Sequence, residues 1–189
     1  SEMCIRDSNI ANNYEGINLQ YSSNNIISGN VIVNNNEFGI YLYYSSNNSV
    51  VRNNIANNKV GIYFYSSSNN FIYHNNIVNN IQQVYCEDST NVWDNDYPSG
   101  GNYWSDYDGE DNYSGPNQDQ PGSDGIGDTP YVIDENNVDR YPFMDPYGDT
   151  TLTAEFNPTI ISLGEASNLT ITTGTLPEGL SGYEITVYI

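Results

Sequence analysis

Residues 57–70 read NNKVGIYFYSSSNN, and residues 34–48 have a closely related sequence, NNNEFGIYLYYSSNN. This sequence repeat occurs about three and a half times between Asn9 and Trp93, with a period of about 22 residues. Three columns set the register: Gly16, Gly39 and Gly61; Ile10, Val33, Ile55 and Ile77; and Asn24, Asn47, Asn69 and Asn91. A fixed period of this length indicates one structural unit stacked on copies of itself.

The unit is predicted to be built of strands. Apolar and polar residues alternate within each copy, as in Ile62-Tyr63-Phe64-Tyr65, and Asn-Asn or Ser-Ser pairs supply the turns. The leucine pattern of a horseshoe is absent, and a propeller blade needs about twice the length. The sequence therefore predicts an all-β parallel solenoid, with rungs about 4.8 Å apart. The inward files are predicted to be Ile40, Ile62 and Val84, and Leu42, Phe64 and Cys86.

The repeated asparagines are predicted to form stacked amide ladders at the corners. The predicted ladders are Asn35, Asn57 and Asn79, and Asn47, Asn69 and Asn91. In the motifs quoted above, at residues 34–48 and 57–70, the repeats resemble the right-handed parallel β-helix repeats of the NosD-like family, also called carbohydrate-binding and sugar-hydrolysis repeats. The resemblance covers roughly residues 9–149, and it implies the right-handed β-helix fold.

Composition narrows the range of partners. The 189 residues include 24 acidic and 4 basic ones, giving a formal charge of −20, so nucleic acid and anionic membranes are poor partners. No apolar run approaches the roughly 18 residues of a membrane span, so direct membrane insertion is not expected. Residues 1–8 do not fit the repeat and are interpreted as a sequence scar. Asn9 then begins inside the solenoid, and we expect the chain to be a fragment of a longer protein.

The outward tyrosines are the candidate ligand-binding residues. If Ile40, Ile62 and Val84 face inward, one outward column holds Tyr41, Tyr63 and Tyr85, and the next holds Tyr43 and Tyr65. Aromatic rings on an exposed sheet can stack on sugar rings. Tyrosine is also a good strand residue, and ladders of one residue type are expected in solenoids, so packing is the favoured explanation and polysaccharide binding the alternative.

A further column holds Arg52, His74 and Asp96, which are 22 residues apart. The resemblance to β-helix polysaccharide lyases implies a basic residue that abstracts a proton beside a uronate, and Arg52 and His74 are the candidates. Glycoside hydrolysis needs two carboxyl groups roughly 5–9.5 Å apart, and the repeats show no such cluster. Catalysis within this chain is therefore disfavoured.

The composition changes at Asp94. Residues 94–149 contain 14 of the 24 acidic residues and one base, Arg140. Three blocks, at residues 99–109, 123–134 and 139–144, resemble the segment that follows the β-helix in archaeal and bacterial NosD-like surface proteins. The aromatic residues of this acidic segment are predicted to cap the open end of the solenoid.

The sequence leads to one expectation about calcium and one about copper. The short Asp-Gly loops suit Ca²⁺, and the candidate ligands are Asp106, Asp108, Asp111, Asp124 and Asp128. Aspartates that cap turns without a metal remain the alternative. The NosD-like name carries a copper association, but His74, Cys86 and Met144 stand in unrelated places, with Met3 and Cys4 in the suspected scar, so copper is not expected.

Residues 150–189 are predicted to begin an immunoglobulin- or cohesin-like β-sandwich, with strands near 152–156, 169–172 and 183–188. The sequence thus predicts repeats at 9–93, a cap at 94–149 and an incomplete sandwich at 150–189. We expect an extracellular, cell-surface or periplasmic module that binds polysaccharide or serves as a cell-envelope scaffold. The alternatives are a carbohydrate-active enzyme, with part of its site in missing rungs, and a periplasmic NosD-like metalloenzyme maturation factor.

Overall fold

The computed structural model describes residues 3–148, 152–157 and 168–173. The chain divides into two compact units, residues 1–147 and 148–189. The second unit contains β18 (Leu152–Asn157) and β19 (Asn168–Thr173), which pair antiparallel and match two of the predicted strands. The third predicted strand, near residues 183–188, lies outside the described residues.

The first unit begins with a parallel β-solenoid of about four coils, which confirms the predicted β-helix architecture. Each coil has two strands of three residues and one strand of six residues. The strands are β1 (Cys4–Arg6), β2 (Asn9–Ala11), β3 (Glu15–Gln20), β4 (Ile26–Ser28), β5 (Val31–Val33), β6 (Phe38–Tyr43), β7 (Ser49–Val51), β8 (Asn54–Ala56), β9 (Val60–Tyr65), β10 (Phe71–Tyr73), β11 (Asn76–Val78) and β12 (Gln82–Glu87).

Equivalent strands of successive coils stack into three parallel sheets. Their orders are β1-β4-β7-β10, β2-β5-β8-β11 and β3-β6-β9-β12, called the first, second and third sheets. In the third sheet Ile40 pairs with Ile62, and Ile62 pairs with Val84. All three side chains are buried, so the predicted single interior file is confirmed.

The predicted column of Ile10, Val33, Ile55 and Ile77 was wrong at its second position, which Ile32 occupies instead of Val33. In the second sheet Ile10 pairs with Ile32, which pairs with Ile55, whereas Val33 pairs with Ala56. The second coil has its extra residue after this column, in the turn between β5 and β6. The offset is therefore 22 residues from Ile10 to Ile32 and 23 from Ile17 to Ile40.

The glycine column is explained by close approach between coils. A Cβ added to Gly61 would lie 2.5 Å from the carbonyl oxygen of Gln83 in the next coil, and one on Gly39 would lie 2.6 Å from that of Gly61. A side chain at these positions would therefore collide with the backbone. Gln83 stands where the fourth coil would have its glycine, and within the described residues no strand of the third sheet follows it.

The asparagine ladders exist, but of the predicted members only Asn35 and Asn91 belong to them. The buried ladders are Asn25–Asn48–Asn70–Asn91, Asn30–Asn53–Asn75–Asn102 and Asn35–Asn58–Asn80. Asn47, Asn57, Asn69 and Asn79 instead have φ between 51° and 59°. In these pairs, such as Asn47-Asn48 and Asn69-Asn70, the first residue takes the left-handed turn, which asparagine tolerates, and the second belongs to the buried ladder. In the second ladder another residue takes this turn, as Arg52 does before Asn53.

Residues 1–8 were expected to fall outside the repeat, and the structure differs. β1 pairs in register with β4, so that Ile5 lies beside Ile27. Ile5 packs against the core, and the Met3 N–H donates to Asn25 Oδ1 at 3.1 Å. Residues 4–6 therefore fit the first coil, because Ile5 supplies the apolar side chain that its column requires. Their interpretation as a sequence scar stays a prediction.

The acidic segment packs against the last coil. It contains β13 (Tyr103–Trp104), β14 (Tyr113–Ser114), β15 (Gln120–Pro121), β16 (Tyr131–Asp134) and β17 (Asn137–Asp139). β13 extends the second sheet beside β11. Trp93 and Trp104 are buried, and Tyr131 stacks on Trp104 with 4.1 Å between ring centroids.

The ends of the amide ladders are closed by side-chain oxygens. The Asn91 N–H donates to Asn137 Oδ1 at 2.9 Å, and the Asn102 N–H donates to Asp139 Oδ2 at 2.7 Å. The third ladder ends where Asn80 Nδ2 donates to Gln83 Oε1 at 2.9 Å. A ladder in which every amide donates forward needs an acceptor at its last member, and β17 accepts from both the backbone N–H and Nδ2 of Asn102. At Asn91 it accepts from the backbone N–H, and Asn91 Nδ2 has no hydrogen-bond partner among the described residues.

Candidate functional site

The outward side of the third sheet and the corner after it carry the aromatic face, which consists of Tyr21, Phe38, Tyr41, Tyr43, Tyr44, Tyr63, Tyr65 and Tyr85. The structure confirms that the predicted tyrosines form columns. The ring centroids are 5.2 Å apart for Tyr41–Tyr63, Tyr63–Tyr85 and Tyr43–Tyr65. Whether these residues bind a ligand stays a prediction.

Two of the three ring pairs within the columns lie nearly face to face, whereas Tyr63 and Tyr85 are tilted by 50°. The interplanar angle is 15° between Tyr41 and Tyr63 and 18° between Tyr43 and Tyr65. These π faces therefore contact neighbouring tyrosines, which favours the packing explanation for the columns. Ring edges and hydroxyl groups are the parts left for a ligand.

Two tyrosines that sequence reasoning missed extend this face. Tyr21 and Tyr44 follow β3 and β6, and their rings stack with an interplanar angle of 1° and centroids 5.4 Å apart. Both rings are nearly perpendicular to Tyr43, at 89° and 88°. Their φ angles are 49° and 45°, which is uncommon for a bulky residue, and Tyr21 is 72% exposed. Their 23-residue spacing was a usable signal, but the strand alternation ends at Tyr43.

Several hydroxyl groups of the aromatic face have raised pKa values. The Tyr63 hydroxyl donates to Glu87 Oε2 at 2.7 Å, and burial together with this carboxylate raises the pKa of Tyr63. Hydrogen bonding with Tyr21 raises the pKa of Tyr43 to about 12. Protonated phenols both donate and accept hydrogen bonds, which suits the hydroxyl groups of a sugar.

The column of Arg52, His74 and Asp96 does not form a catalytic group. All three residues have positive φ, between 57° and 59°, and occupy turns. The His74 N–H donates to the Gly101 carbonyl, so Gly101 follows His74 in the stack and Asp96 does not. The reason is that the segment between β12 and β13 contains an insertion. Burial lowers the pKa of His74, and its ring stacks on Tyr147 at 4.2 Å.

Three of the five candidate calcium ligands, Asp111, Asp124 and Asp128, accept hydrogen bonds from backbone amides. Asp111 accepts hydrogen bonds from the N–H groups of Asp124 (3.1 Å) and Gly125 (2.8 Å). Asp128 accepts from the N–H of Asn112 at 2.9 Å and from the next amide at 3.0 Å. These contacts are those of the turn-capping alternative.

The other two candidates are separate from this group. Asp106 accepts a hydrogen bond from the Tyr131 hydroxyl at 3.2 Å and from Gln83 Nε2 at 3.2 Å. Asp108 is exposed. Among residues 3–148 and the two C-terminal strands, no three His, Cys, Asp or Glu side chains are grouped as a metal site. Calcium binding stays a prediction.

The family model described as periplasmic copper-binding protein (NosD) matches residues 1–109, which is more than half of the chain. The chain belongs to the NosD family. The match spans the whole solenoid and β13, and it confirms the resemblance recognised in the repeats. No curated protein and no solved structure matches the chain.

The described residues of this NosD-family chain do not fit a copper centre. Copper is held by imidazole, thiolate or thioether groups. His74 lies in the turn after β10, where its Nε2–H donates to the Ser99 carbonyl at 2.8 Å. Cys86 lies in β12, where burial raises the pKa of the thiol to about 12. In the described part of the chain, neither residue belongs to a group of three His, Cys, Asp or Glu side chains that could hold a metal ion. Within the same ranges, no helix has the length and apolarity to cross a membrane.

Proposed function

We propose that this NosD-family solenoid is a non-catalytic scaffold, located in the periplasm, at the cell surface or outside the cell, whose aromatic face binds polysaccharide. The proposal is carried by one observation: aromatic rings from all four coils adjoin on one side of a rigid sheet. An aromatic surface of this extent is typical of a binding site. The family description, which names a periplasmic protein, supports export.

The contact proposed for the sugar follows from the ring geometry. Because the column tyrosines stack on one another, they contribute mainly edges and hydroxyls. The corner residues Tyr21 and Tyr44 also stack on each other, but Tyr21 is 72% exposed and contributes the most open ring of the face. The net charge of −20 repels anionic chains, so the proposed ligand is a neutral polysaccharide.

The acidic segment is proposed to cap the solenoid. Support comes from β17, whose Asn137 and Asp139 accept hydrogen bonds from the ladder ends and from the indole N–H groups of Trp93 (3.0 Å) and Trp104 (2.9 Å). Structural Ca²⁺ at Asp111, Asp124 and Asp128 remains part of this proposal. A melting temperature that falls on EDTA treatment would support the metal, and an unchanged one would count against it.

A second candidate function is a periplasmic maturation factor for a metalloenzyme. The family match alone favours it, and the copper-ligand chemistry of the described residues does not. Saturable, stoichiometric copper binding by this chain would favour this alternative over polysaccharide binding.

The test is a screen of neutral and anionic glycans, followed by titration of the best neutral one. Tyr21→Ser/Tyr44→Ser and Tyr43→Ser/Tyr65→Ser are each expected to weaken binding at least about tenfold, which corresponds to about 1.4 kcal/mol. The control Tyr113→Ser removes an exposed tyrosine outside the face and should leave affinity unchanged. The proposal fails if no glycan binds, or if the control and the face variants behave alike.

A further inference from the structure

The third sheet ends one strand earlier than its neighbours. After β12 the chain passes through Val92, which bridges Phe71 beside the first sheet, and then forms β13 on the second sheet. The third sheet has no corresponding fifth strand. Among the described residues, β12 is therefore an edge strand on its outer side.

Backbone donors of this edge point away from the solenoid. In each earlier coil the residue after the six-residue strand donates its N–H to the next coil: Tyr21 to Tyr43 (2.9 Å), Tyr44 to Tyr65 (3.0 Å) and Ser66 to Glu87 (2.9 Å). Asp88 is the next member of this file and shares its positive φ, so its N–H points outward from β12. Such an edge is a template for a further strand.

A cleft runs along this edge. Two open cavities, of about 260 Å³ and 350 Å³, adjoin successive halves of β12 and are walled on the other side by residues 131–136. β16 pairs with β17 and not with β12, so this wall does not complete the third sheet. Ile81 is 87% exposed and Val132 is 65% exposed, and both line the first cavity. The edge thus offers apolar contacts as well as hydrogen bonds.

The cleft is acidic. Asp106 lines the first cavity, and Asp88, Asp134 and Glu135 line the second, with no Lys, Arg or His lining either. A second copy of this chain would also carry a charge of −20, so pairing between copies is opposed. A basic partner has the complementary charge.

We propose that the outer edge of β12 is a docking site for an extended, lysine- or arginine-bearing segment of another protein. The segment adds a fifth strand to the third sheet and pairs with the outward backbone groups of β12, as in β-strand addition. Its apolar side chains contact Ile81 and Val132, and its basic side chains reach Asp88 and Glu135. The site adjoins the aromatic face, because Tyr85 of that face lies on β12. The residues that the proposal uses, Ile81, Asp88, Val132 and Glu135, are not part of the face, so the proposal does not rest on polysaccharide binding.

The probe is a fluorescent ten-residue peptide that alternates valine and lysine. Two control peptides carry glutamate in place of lysine, or proline at two central positions, which removes strand donors. Saturable binding is expected for the lysine peptide, with at least about tenfold weaker binding of both controls. Hydrogen exchange of the intact chain is expected to show new protection of amides between residues 84 and 88.

Charge reversal tests the location. Asp88→Lys/Glu135→Lys is expected to weaken binding of the lysine peptide at least about tenfold and to permit binding of the glutamate peptide. The matched control Asp119→Lys/Asp145→Lys makes the same charge change at exposed residues that line neither cavity and should change affinity less than about twofold. Circular dichroism verifies that both variants fold. Equal weakening by both variants, equal binding of the proline peptide, or self-association of the chain through β12 would overturn the proposal.

Discussion

Replacing Asn53 by alanine removes the middle of a buried amide ladder. Asn53 Oδ1 accepts hydrogen bonds from the Asn30 N–H (3.0 Å) and Asn30 Nδ2 (2.9 Å), and its own Nδ2 donates to Asn75 Oδ1 at 3.0 Å. The substitution leaves the backbone N–H of Asn30 and one of its two Nδ2–H groups without an acceptor, while Nδ2 still donates to the Ile5 carbonyl at 3.0 Å. Each lost acceptor costs about 1–3 kcal/mol, or about 2–6 kcal/mol together. This loss is a large part of the roughly 5–15 kcal/mol that stabilises a typical domain.

The assay is urea unfolding, followed by tryptophan fluorescence and far-UV circular dichroism. The matched control is Asn54→Ala, which changes the adjacent but exposed asparagine and is expected to alter the free energy of unfolding by less than about 0.5 kcal/mol. The reasoning is refuted if Asn53→Ala costs less than about 1 kcal/mol, below the expected range for two unsatisfied donors, or no more than the control.

Three further predictions concern single residues. Gly61→Ala should destabilise the solenoid by about 1–3 kcal/mol, because the new Cβ would lie 2.5 Å from the Gln83 carbonyl oxygen; an unchanged melting temperature would contradict this contact. Burial raises the pKa of Asp139 from 3.8 to about 7, against four opposing N–H donors, so its contribution to stability should fall as pH rises from about 4 to 7. Asp139→Asn should remove that slope in unfolding free energy, and an identical slope would exclude this group. Ellman's reagent at pH 8 should modify exposed Cys4 quickly and half-buried Cys86 much more slowly, because burial raises the pKa of the Cys86 thiol to about 12, and one fast thiol remaining in Cys4→Ser would contradict this reasoning.

The repeat made the stacking of the coils predictable, because a 22-residue offset converts directly into vertical neighbours. It could not place single insertions. The extra residue of the second coil shifted the apolar column from Val33 to Ile32, and the shorter corner of the fourth coil made Asn91 the partner of Asn70 rather than Asn69. Within an Asn-Asn pair, spacing alone does not distinguish the residue in the left-handed turn from the residue that points inward.

The site was predictable in outline only. Alternation identified the outward columns, but the orientation of the rings depends on their packing, and this turns the faces of Tyr43 and Tyr65 towards each other. The closing of the ladders by Asn137 and Asp139 was not predictable, because these residues lie 46 and 37 positions from Asn91 and Asn102. Contacts across such separations carry no local signal in an irregular segment.

The central claim is that residues one period apart are direct neighbours in adjacent coils, and a pair of introduced cysteines tests it most directly. In a Cys4→Ser background, Tyr41→Cys/Tyr63→Cys places two thiols on paired positions of adjacent strands, about 4.8 Å apart at Cα, which is within the range of a disulfide. Tyr41→Cys/Tyr65→Cys moves the second thiol two residues along the strand, to about 8 Å. Mild oxidation should crosslink the first pair and not the second, as mass spectrometry of proteolytic fragments would show. Crosslinking of the second pair in preference to the first would contradict the stacking from which the aromatic face, the ladders and the β12 edge all follow.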